Sequence, residues 1–313
     1  MDNRAASRAQ PADPSRRRFL KLLALTAGAA GAEAALPVVP AQAKTTEELA
    51  AEHAQDRGML IDLSKCTGCG ACVAACKVDN ELDWREDQPA VGQNAALASD
   101  NWTVVKSVQT PDKGMRYVKS QCMHCLEPAC ASACFVKAMQ KLPAGWVVYD
   151  PNRCVGCRYC LMACPFGIPT FDWDKTFPVV SKCNECFEDS SRPEDPTVCS
   201  KACPTGALAF GRRGDLLSEA HRRIDAEPKK YIPHVYGEKE AGGTSMLYIS
   251  DVPFEELGFR SQPARPIPDY TWQVSRLVPP VGAGLAALYT VIYMRRRKLG
   301  LEPPVEDEPE EES

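Results

Sequence analysis

The sequence predicts an α+β fold in which four similar units of strand, cysteine loop and short helix are followed by a single membrane-spanning helix. Three observations lead to this prediction. The sixteen cysteines form four groups of four, with none left over. Short apolar runs with strand character lie beside the groups, at 59–63, 146–149 and 207–211. An uncharged stretch, 277–294, ends at a run of four basic residues.

The third group of cysteines has the most diagnostic spacing. Two, two and three residues separate its successive thiols, and Pro165 follows the last one. This is the spacing of bacterial [4Fe-4S] ferredoxin motifs, in which the first three thiols bind one cluster and the fourth binds another. The first group has the same spacing. The two groups are Cys66, Cys69, Cys72 and Cys76, and Cys154, Cys157, Cys160 and Cys164.

The other two groups are variants of the same motif. Four residues separate the second and third thiols of group two, and Phe135 stands where a proline often follows. Twelve residues separate the corresponding thiols of group four, and their polar, proline-bearing composition favours a solvent-exposed loop. The members are Cys122, Cys125, Cys130 and Cys134 in group two, and Cys183, Cys186, Cys199 and Cys203 in group four.

Other chemistry is less consistent with this spacing. Zinc ribbons use two CxxC pairs roughly 15–20 residues apart and need no third thiol, and disulfides need no repeat. Sixteen cysteines therefore predict four [4Fe-4S] clusters, without the missing ligand of a [3Fe-4S] variant. Four repeats predict two ferredoxin-like modules, each a pair of repeats related by a pseudo-twofold axis. Spacing alone does not say which groups pair.

The N-terminus has the features of an export signal. The sequence SRRRFLK at 15–21 resembles the twin-arginine motif, and a weakly apolar segment leads to a small-residue cleavage site at Ala43. A basic, disordered N-terminus is the alternative. Because the twin-arginine route carries folded proteins, clusters can be inserted before export, which reconciles an exported chain with cysteines that are not disulfide-bonded.

The C-terminal third lies beyond the cysteine groups. A surface helix is predicted at 216–224, and the segment 231–258, with a strand candidate at 246–250, is interpreted as an extended arm lying on another surface. The eighteen residues at 277–294 form a helix of about 27 Å, close to the bilayer core of about 30 Å. The basic run at 295–298 marks the cytoplasmic side, so the clusters lie outside. A buried helix of a soluble protein is the alternative.

Charge and absent motifs narrow the function. The net charge is −4, and the seven acidic residues at 302–312 leave the rest of the chain near +3, which predicts no nucleic-acid binding. No phosphate-binding glycine loop or catalytic constellation is recognisable, so the chain is predicted to move electrons and not to catalyse a reaction alone.

His124 is interpreted as a packed histidine rather than an electron entry point. The bases beside the thiols are interpreted mainly as surface residues; they are Lys65, Lys77, Lys119, Lys137, Arg153, Arg158, Lys182 and Lys201.

These motifs resemble the four-cluster ferredoxin-like subunits of membrane oxidoreductases, including formate dehydrogenase and dimethyl sulfoxide reductase. The segments QCMHC at Gln121, CRYCLMACPFGIP at Cys157 and HVYGEKEAGG at His234, with the export motif and the C-terminal span, are most similar to the HybA family of iron–sulfur subunits of periplasmic hydrogenase 2. The resemblance covers nearly the whole chain. It implies [NiFe] hydrogenase large and small subunits and an integral-membrane quinone-reactive subunit as partners. It also implies a place on the periplasmic side of the inner membrane, with a cytoplasmic C-terminus.

The family pattern also implies the pairing of the groups. Groups one and four form one module, and groups two and three form the other, with crossed ligation in each. The implied ligand sets are Cys66, Cys69, Cys72 and Cys203 (cluster 1); Cys183, Cys186, Cys199 and Cys76 (cluster 2); Cys122, Cys125, Cys130 and Cys164 (cluster 3); and Cys154, Cys157, Cys160 and Cys134 (cluster 4).

The expected layout interleaves the two modules. Its segments are a signal peptide (1–43), a linker (44–57), module 1 (58–76 and 178–211), an insertion that packs on the core or meets a partner (77–114), module 2 (115–177), a C-terminal arm (212–270), the transmembrane helix (277–294) and a basic stop with an acidic tail (295–313).

Two other functions stay open. The first is the beta subunit of a membrane-bound formate dehydrogenase or other molybdopterin oxidoreductase. Such subunits usually travel under a partner's export signal, so the twin-arginine motif on this chain favours the hydrogenase. The second is a non-redox membrane scaffold stapled by its thiols.

Overall fold

The computed structural model describes residues 44–173, 175, 179–187 and 194–300. The expected twin-arginine signal and the acidic tail lie outside these residues, as does part of the loop in group four. The chain divides into two compact units. One is Lys44–Gln273, and the other includes residues 274–300.

Short strands and helices alternate along the described chain. The strands are β1 (Arg57–Asp62), β2 (Val91–Gly92), β3 (Val104–Thr110), β4 (Gly114–Ser120), β5 (Met139–Lys141), β6 (Val147–Tyr149), β7 (Thr170–Phe171), β8 (Val180–Ser181), β9 (Leu208–Arg212) and β10 (Met246–Ile249). The helices are α1 (Thr46–Glu52), α2 (Ala71–Asp79), α3 (Ala129–Ser132), α4 (Tyr159–Ala163), α5 (Val198–Lys201), α6 (Arg213–Ala226), α7 (Ile267–Ser275) and α8 (Val278–Lys298).

A three-stranded sheet in the order β10-β1-β9 forms the centre of the larger unit. The middle strand, β1, is buried along its whole length, which explains why Met59, Leu60 and Ile61 at its centre are consecutive apolar residues rather than an alternation. It pairs antiparallel with β9, with Met59 opposite Phe210. It pairs parallel with β10, with Met59 opposite Met246. The strand that enters group one is therefore bonded to the strand that leaves group four.

The segment 231–258 is part of this core and not an arm on another surface, which corrects the expectation from the sequence. All four residues of β10 are buried, because the apolar run MLYI covers the edge of β1 that β9 leaves open. Around it, Tyr236 packs edge-on against Phe259 with ring centres 4.7 Å apart, and Tyr248 lies 5.1 Å from Phe259. This aromatic cluster encloses the sheet from the side of groups two and three.

Helix α6 covers the other face of the sheet. Its buried residues Leu216, Ala220 and Ile224 recur every four positions, so they lie on one face. They pack against Leu60 and Leu247, each of which is fully buried and contributes about 1.5–3 kcal/mol of hydrophobic free energy. The helix is longer than the predicted 216–224, and only its opposite face is a surface.

The expected insertion at 77–114 contains its own small sheet. Strand β3 pairs antiparallel with β4, and β2 pairs parallel with β3. The side chains of Val104 and Val105 on β3 are buried with Val73 of helix α2. The hairpin thereby packs directly beside the cysteine loop of group one. The expected linker at 44–57 is partly helical, because Thr45 and Glu48 form a capping box that starts α1.

The segment around groups two and three has less regular structure. It has two two-stranded ribbons, β5 with β6 and β7 with β8, and the one-turn helices α3 and α4. Met139, Val147 and Val180 form a small core with thiols from both groups.

In the smaller unit, α8 has the features of a membrane span. Residues 267–298 are long and apolar enough to cross a membrane, and no residue of α8 is buried within the described chain. Pro279 and Pro280 lie in the first turn of α8, and its last turn holds the four basic residues. These features agree with the predicted position of the span at 277–294.

Candidate iron–sulfur sites

All four cysteine loops bend at the same position. The residue two places after the first cysteine has a positive φ in every group: 72° for Gly68, 45° for His124, 70° for Gly156 and 57° for Glu185. This left-handed conformation is free for glycine but costs other residues roughly 1–2 kcal/mol. The bend turns the amide of Gly156 toward the sulfur of Cys154, and that of Glu185 toward Cys183, at 3.4 Å in both cases. The four cysteine groups therefore share one backbone conformation, although the residue at this position is glycine in only two of them.

A second shared turn follows the last cysteine of groups two, three and four. The third residue after that cysteine again has a positive φ, and its amide donates to the cysteine carbonyl. These residues are Lys137, Gly167 and Gly206, with φ of 53°, 64° and 62° and N···O distances of 3.0, 3.1 and 3.5 Å. Phe135 occupies the place held by Pro165 in group three, so the turn forms without proline.

Two cavities lie beside the central sheet, each lined by four thiols from two groups. Site 1 is lined by three thiols of group one and one of group four, namely Cys66, Cys69, Cys72 and Cys203. Site 2 is lined by three thiols of group four and one of group one, namely Cys183, Cys186, Cys199 and Cys76.

Groups two and three exchange thiols in the same way. Site 4 is a cavity lined by Cys134, Cys154, Cys157 and Cys160. In site 3, Cys125 has three thiols as its electrostatic neighbours, Cys130, Cys122 and Cys164. The structure thus brings together the same four sets that the family resemblance implied, while their role as ligands stays a prediction.

Neighbouring sites also approach one another. The charge of Cys199 in site 2 raises the pKa of Cys72 in site 1. In the same way, Cys122 of site 3 raises the pKa of Cys183 in site 2, and Cys160 of site 4 raises the pKa of Cys130 in site 3. These electrostatic interactions connect the sites in the order 1, 2, 3, 4.

The thiols have the protonation chemistry of cluster ligands. All sixteen are free. Burial, assisted by neighbouring thiols and opposed by Lys119, raises the pKa of Cys72 to about 11 and that of Cys76 to about 12. As free thiols they hold protons at neutral pH, so binding iron releases those protons and is favoured by rising pH.

Backbone amides supply the partial positive charge that thiolates require. Ala138 N lies 3.2 Å from the sulfur of Cys134, and Ile168 N lies 3.5 Å from that of Cys164. Four converging thiols with amide donors match the donor set of a [4Fe-4S] cluster, whose potential such bonds tune.

Three of the eight bases beside the thiols are buried, and five are exposed. The interpretation of most of these bases as surface residues therefore holds, and the exceptions are Lys77, Lys119 and Lys182. Lys77 donates to the carbonyl of Asp100 at 2.8 Å, and Lys182 donates to that of Cys183 at 2.9 Å. No residue spacing distinguishes them from the exposed bases, because their burial comes from strands and loops distant in the sequence.

A buried ion pair joins the sheet to group four. The Arg57 Nε lies 3.3 Å from Glu185 Oε1, and both side chains are only 1% exposed. The guanidinium carbon of Arg57 lies 4.6 Å from the centre of the Trp146 ring and 4.8 Å from that of Phe210. Burial raises the pKa of Glu185 to about 7, although Arg57 opposes this rise. Sequence patterns gave no sign of this pair.

His124 is a packed histidine, as expected. It is fully buried, and its Nδ1 accepts a hydrogen bond of 3.0 Å from the amide of Val147. Burial, with the nearby charges of Lys182 and Lys141, lowers the pKa of His124 well below its ordinary value. The imidazole is therefore neutral and ties group two to β6.

Large apolar side chains are exposed around site 4. Phe135, Val155, Tyr159 and Met162 are 68%, 62%, 59% and 86% exposed. Each of them lies within two positions of a thiol of groups two or three. Apolar side chains concentrated in this way mark surfaces that a partner covers.

Two parts of the chain match known domain families. Residues 113–213 match the 4Fe-4S dicluster domain. Residues 57–78 match a 4Fe-4S binding domain. Together these segments contain all sixteen cysteines.

Several proteins are similar over most of the chain. A protein of Nitratidesulfovibrio vulgaris is 40% identical over 93% of this chain and 80% of its own length. The hydrogenase-2 operon protein HybA of Escherichia coli O157:H7 is 35% identical over 64% of this chain and 71% of its own length. The iron–sulfur subunit of the nitrate-inducible formate dehydrogenase of Escherichia coli K12 is 31% identical over 80% of this chain and 88% of its own length.

Proposed function

Because the chain belongs to the family of iron–sulfur electron-transfer subunits of hydrogenase-type and formate-dehydrogenase-type complexes, we propose that it relays electrons through four [4Fe-4S] clusters from a periplasmic [NiFe] hydrogenase to a quinone-reactive membrane subunit. The observation that carries this proposal is the series of four four-thiol sites. Each cluster, when bound, accepts and releases one electron. The protein supplies the ligands, their environment and the path.

The proposed ligands of each cluster are the thiols of the corresponding site. The convergence of each set on one cavity or one group of neighbouring thiols supports the assignment. Each set takes three thiols from one loop and a fourth from another, as in two-cluster ferredoxins. The assignment makes two modules, one from groups one and four and the other from groups two and three.

The proposed path follows the order of the sites. In each of sites 1, 2 and 3, one thiol has a pKa that is raised by a thiol of the next site. An electron passes between these neighbouring sites without leaving the protein interior. Sites 1 and 4 are the two ends of the path. Cys69 of site 1 is exposed, and exposed apolar side chains surround site 4, so both ends are accessible to partner subunits.

Attachment to the membrane is proposed through α8. Its four terminal basic residues favour the cytoplasmic side, which leaves the cysteine sites on the periplasmic side. The twin-arginine motif at 15–21 supports the same orientation. It also favours the hydrogenase over formate dehydrogenase, because the beta subunits of the latter usually travel under a partner's signal.

A formate dehydrogenase subunit is the second candidate. The observation that favours it is coverage, because that relative matches 80% of this chain and the hydrogenase-2 relative matches 64%. Both candidates share the clusters and differ in the catalytic partner. In neither is this chain catalytic alone.

Metal analysis of the native complex tests the proposal. The chain is purified anaerobically from membranes in mild detergent, with the proteins bound to it. We expect nickel in the complex, and about 16 irons per chain after this chain has been separated anaerobically from its iron-containing partners, since four cubanes carry four irons each. Molybdenum or tungsten instead of nickel would assign the chain to the second candidate. Fewer than about 12 irons per chain would contradict the four-cluster relay.

Membrane attachment is tested by fractionation. Leu285→Arg introduces a charge into the middle of the exposed helix α8, which costs about 2.5–3.5 kcal/mol of insertion free energy. We expect the variant to leave the membrane fraction more readily on carbonate washing while keeping its iron. Ser218→Arg, on the exposed face of α6, is the control and stays in the membrane.

A further inference from the structure

Lys119 occupies a special place between the first two sites. Among the described residues, it is the only one that lines both site 1 and site 2. It lies near the end of β4, and the whole residue is 2% exposed. Its backbone is fixed as well, because Tyr248 donates its hydroxyl to the carbonyl of Lys119 at 3.1 Å.

The charge of Lys119 is not neutralised by a carboxylate. Its Nζ donates to Thr103 Oγ1 and to Gln121 Oε1, both at 2.9 Å, and both acceptors are neutral. Within the residues that the structure describes, it forms no ion pair with Asp or Glu. An ammonium has three protons, and these two hydrogen bonds use two of them.

Thiols of both sites surround Lys119. Cys72 and Cys203 line site 1 together with Lys119, and Cys183 and Cys199 line site 2 together with it. A buried cation whose partners are the ligands of two sites interacts with the charge of both.

We propose that Lys119 is a shared positioning residue that raises the midpoint potentials of the clusters in sites 1 and 2 together. Reduction of either cluster adds one electron and breaks no bond. The added negative charge is stabilised by the fixed ammonium, so both clusters accept electrons more readily than they would beside a neutral side chain. Among the residues that the structure describes, the base that lines site 4 is Arg158, and its side chain is exposed. The proposal rests on the relay function and adds to it a cause for the potentials of one half of the path.

Lys119→Met tests the proposal, because methionine has similar length without charge. The full chain is purified with its partners and titrated anaerobically with dithionite, and EPR spectra report the reduced fraction of each cluster. We expect two of the four one-electron steps to shift to lower potential. At a fixed solution potential the ratio of reduced to oxidised cluster falls about tenfold for each, which corresponds to 59 mV for a one-electron couple.

Two variants serve as controls. Lys119→Arg keeps the positive charge and should leave both steps near their wild-type positions. Lys106→Met removes a charge from the same hairpin, where Lys106 pairs in register with Val118. Lys106 lines an open cleft and neither of the two sites, so we expect no shift.

The outcomes separate this proposal from the relay itself. An iron content well below four clusters in the unaltered chain would contradict the relay, whereas four clusters with unshifted potentials in Lys119→Met would overturn only the role of Lys119. A shift of a single step, or of all four equally, would also overturn it. If Lys119→Met loses iron, Lys119→Gln takes its place. Loss of iron in both, with Lys119→Arg intact, would assign Lys119 to stability and reject its effect on potential.

Discussion

Replacing Gly68 with alanine is expected to destabilise the protein through two separate effects. The first is the backbone, because φ at Gly68 is 72° and a left-handed alanine costs roughly 1–2 kcal/mol. The second is a clash, since a Cβ at Gly68 would lie 2.3 Å from Cδ1 and 2.4 Å from Cε1 of Tyr117. Displacing a packed ring typically costs about 1–3 kcal/mol. The total is about 2–5 kcal/mol.

Gly156→Ala is the matched control within the same chain. Gly156 has the same place in group three and a φ of 70°, but a Cβ added to it would have no atom of the described residues within 4 Å apart from its own chain neighbours. Only the backbone cost of roughly 1–2 kcal/mol therefore applies. The difference between the two substitutions isolates the clash with Tyr117.

The comparison is made by heating each protein anaerobically at one scan rate and following the loss of cluster absorbance. For a domain of this size about 1 kcal/mol corresponds to roughly 2–4 °C, so Gly68→Ala should melt several degrees below Gly156→Ala. In a Tyr117→Ala background the extra loss should disappear, leaving only the backbone effect. Equal losses for the two glycines, or an extra loss that persists without the ring, would refute the reasoning.

Three further changes test other parts of the structure. Cys164→Ser should abolish the same EPR signal as Cys125→Ser and spare the signal lost in Cys157→Ser; the reverse pattern would exclude crossed ligation. Asp251→Asn should lower stability by about 1–2 kcal/mol, because Arg116 contacts both carboxylate oxygens, at 3.1 and 2.7 Å. Partial burial raises the pKa of Asp251, but Arg116 holds it below its ordinary value. This stabilisation is complete above the unfolded pKa of about 3.9 and is lost only as pH falls through the lower folded pKa, so the deficit in melting temperature should be the same at pH 6 and pH 8. Met162→Glu, at a side chain 86% exposed beside site 4, should leave iron content unchanged and reduce the amount of co-purified partner; full recovery of the partner would argue against an interface there.

The cysteine motifs could be predicted from the sequence because the chemistry of a cluster restricts spacing directly. Cys154 to Cys164 lie on one short loop and helix, so their separation along the chain determines their geometry. The predicted strands beside groups one and four are present within one or two residues, as β1 and β9. Their apolar runs are short, and β1 is buried on both faces whereas β9, at the edge of the sheet, is only partly buried.

The predictions from the sequence failed where segments that are far apart in the sequence pack together. The segment 231–258 has no cysteine and mixed composition, so nothing local indicated that β10 would pair with β1. Lys119 has the same sequence context as an exposed lysine, and only the packing of β4 beside two sites buries it. Arg57 and Glu185 became partners for the same reason. Sequence spacing reports local geometry, whereas the environment of the sites is made by long-range contacts.

The position of β1 also has a consequence for biosynthesis. The ribosome completes β1 and the first three thiols of site 1 long before β9, β10 and Cys203 exist. Until those segments emerge, β1 has two open edges and uncovered apolar faces, a state in which strands associate wrongly. The fourth thiol of site 1 and the first neighbour of β1 arrive together, since Cys203 lies just before β9. The proposed cluster of site 1 therefore cannot gain its fourth ligand until translation has passed Cys203, about two-thirds of the way along the 313 residues.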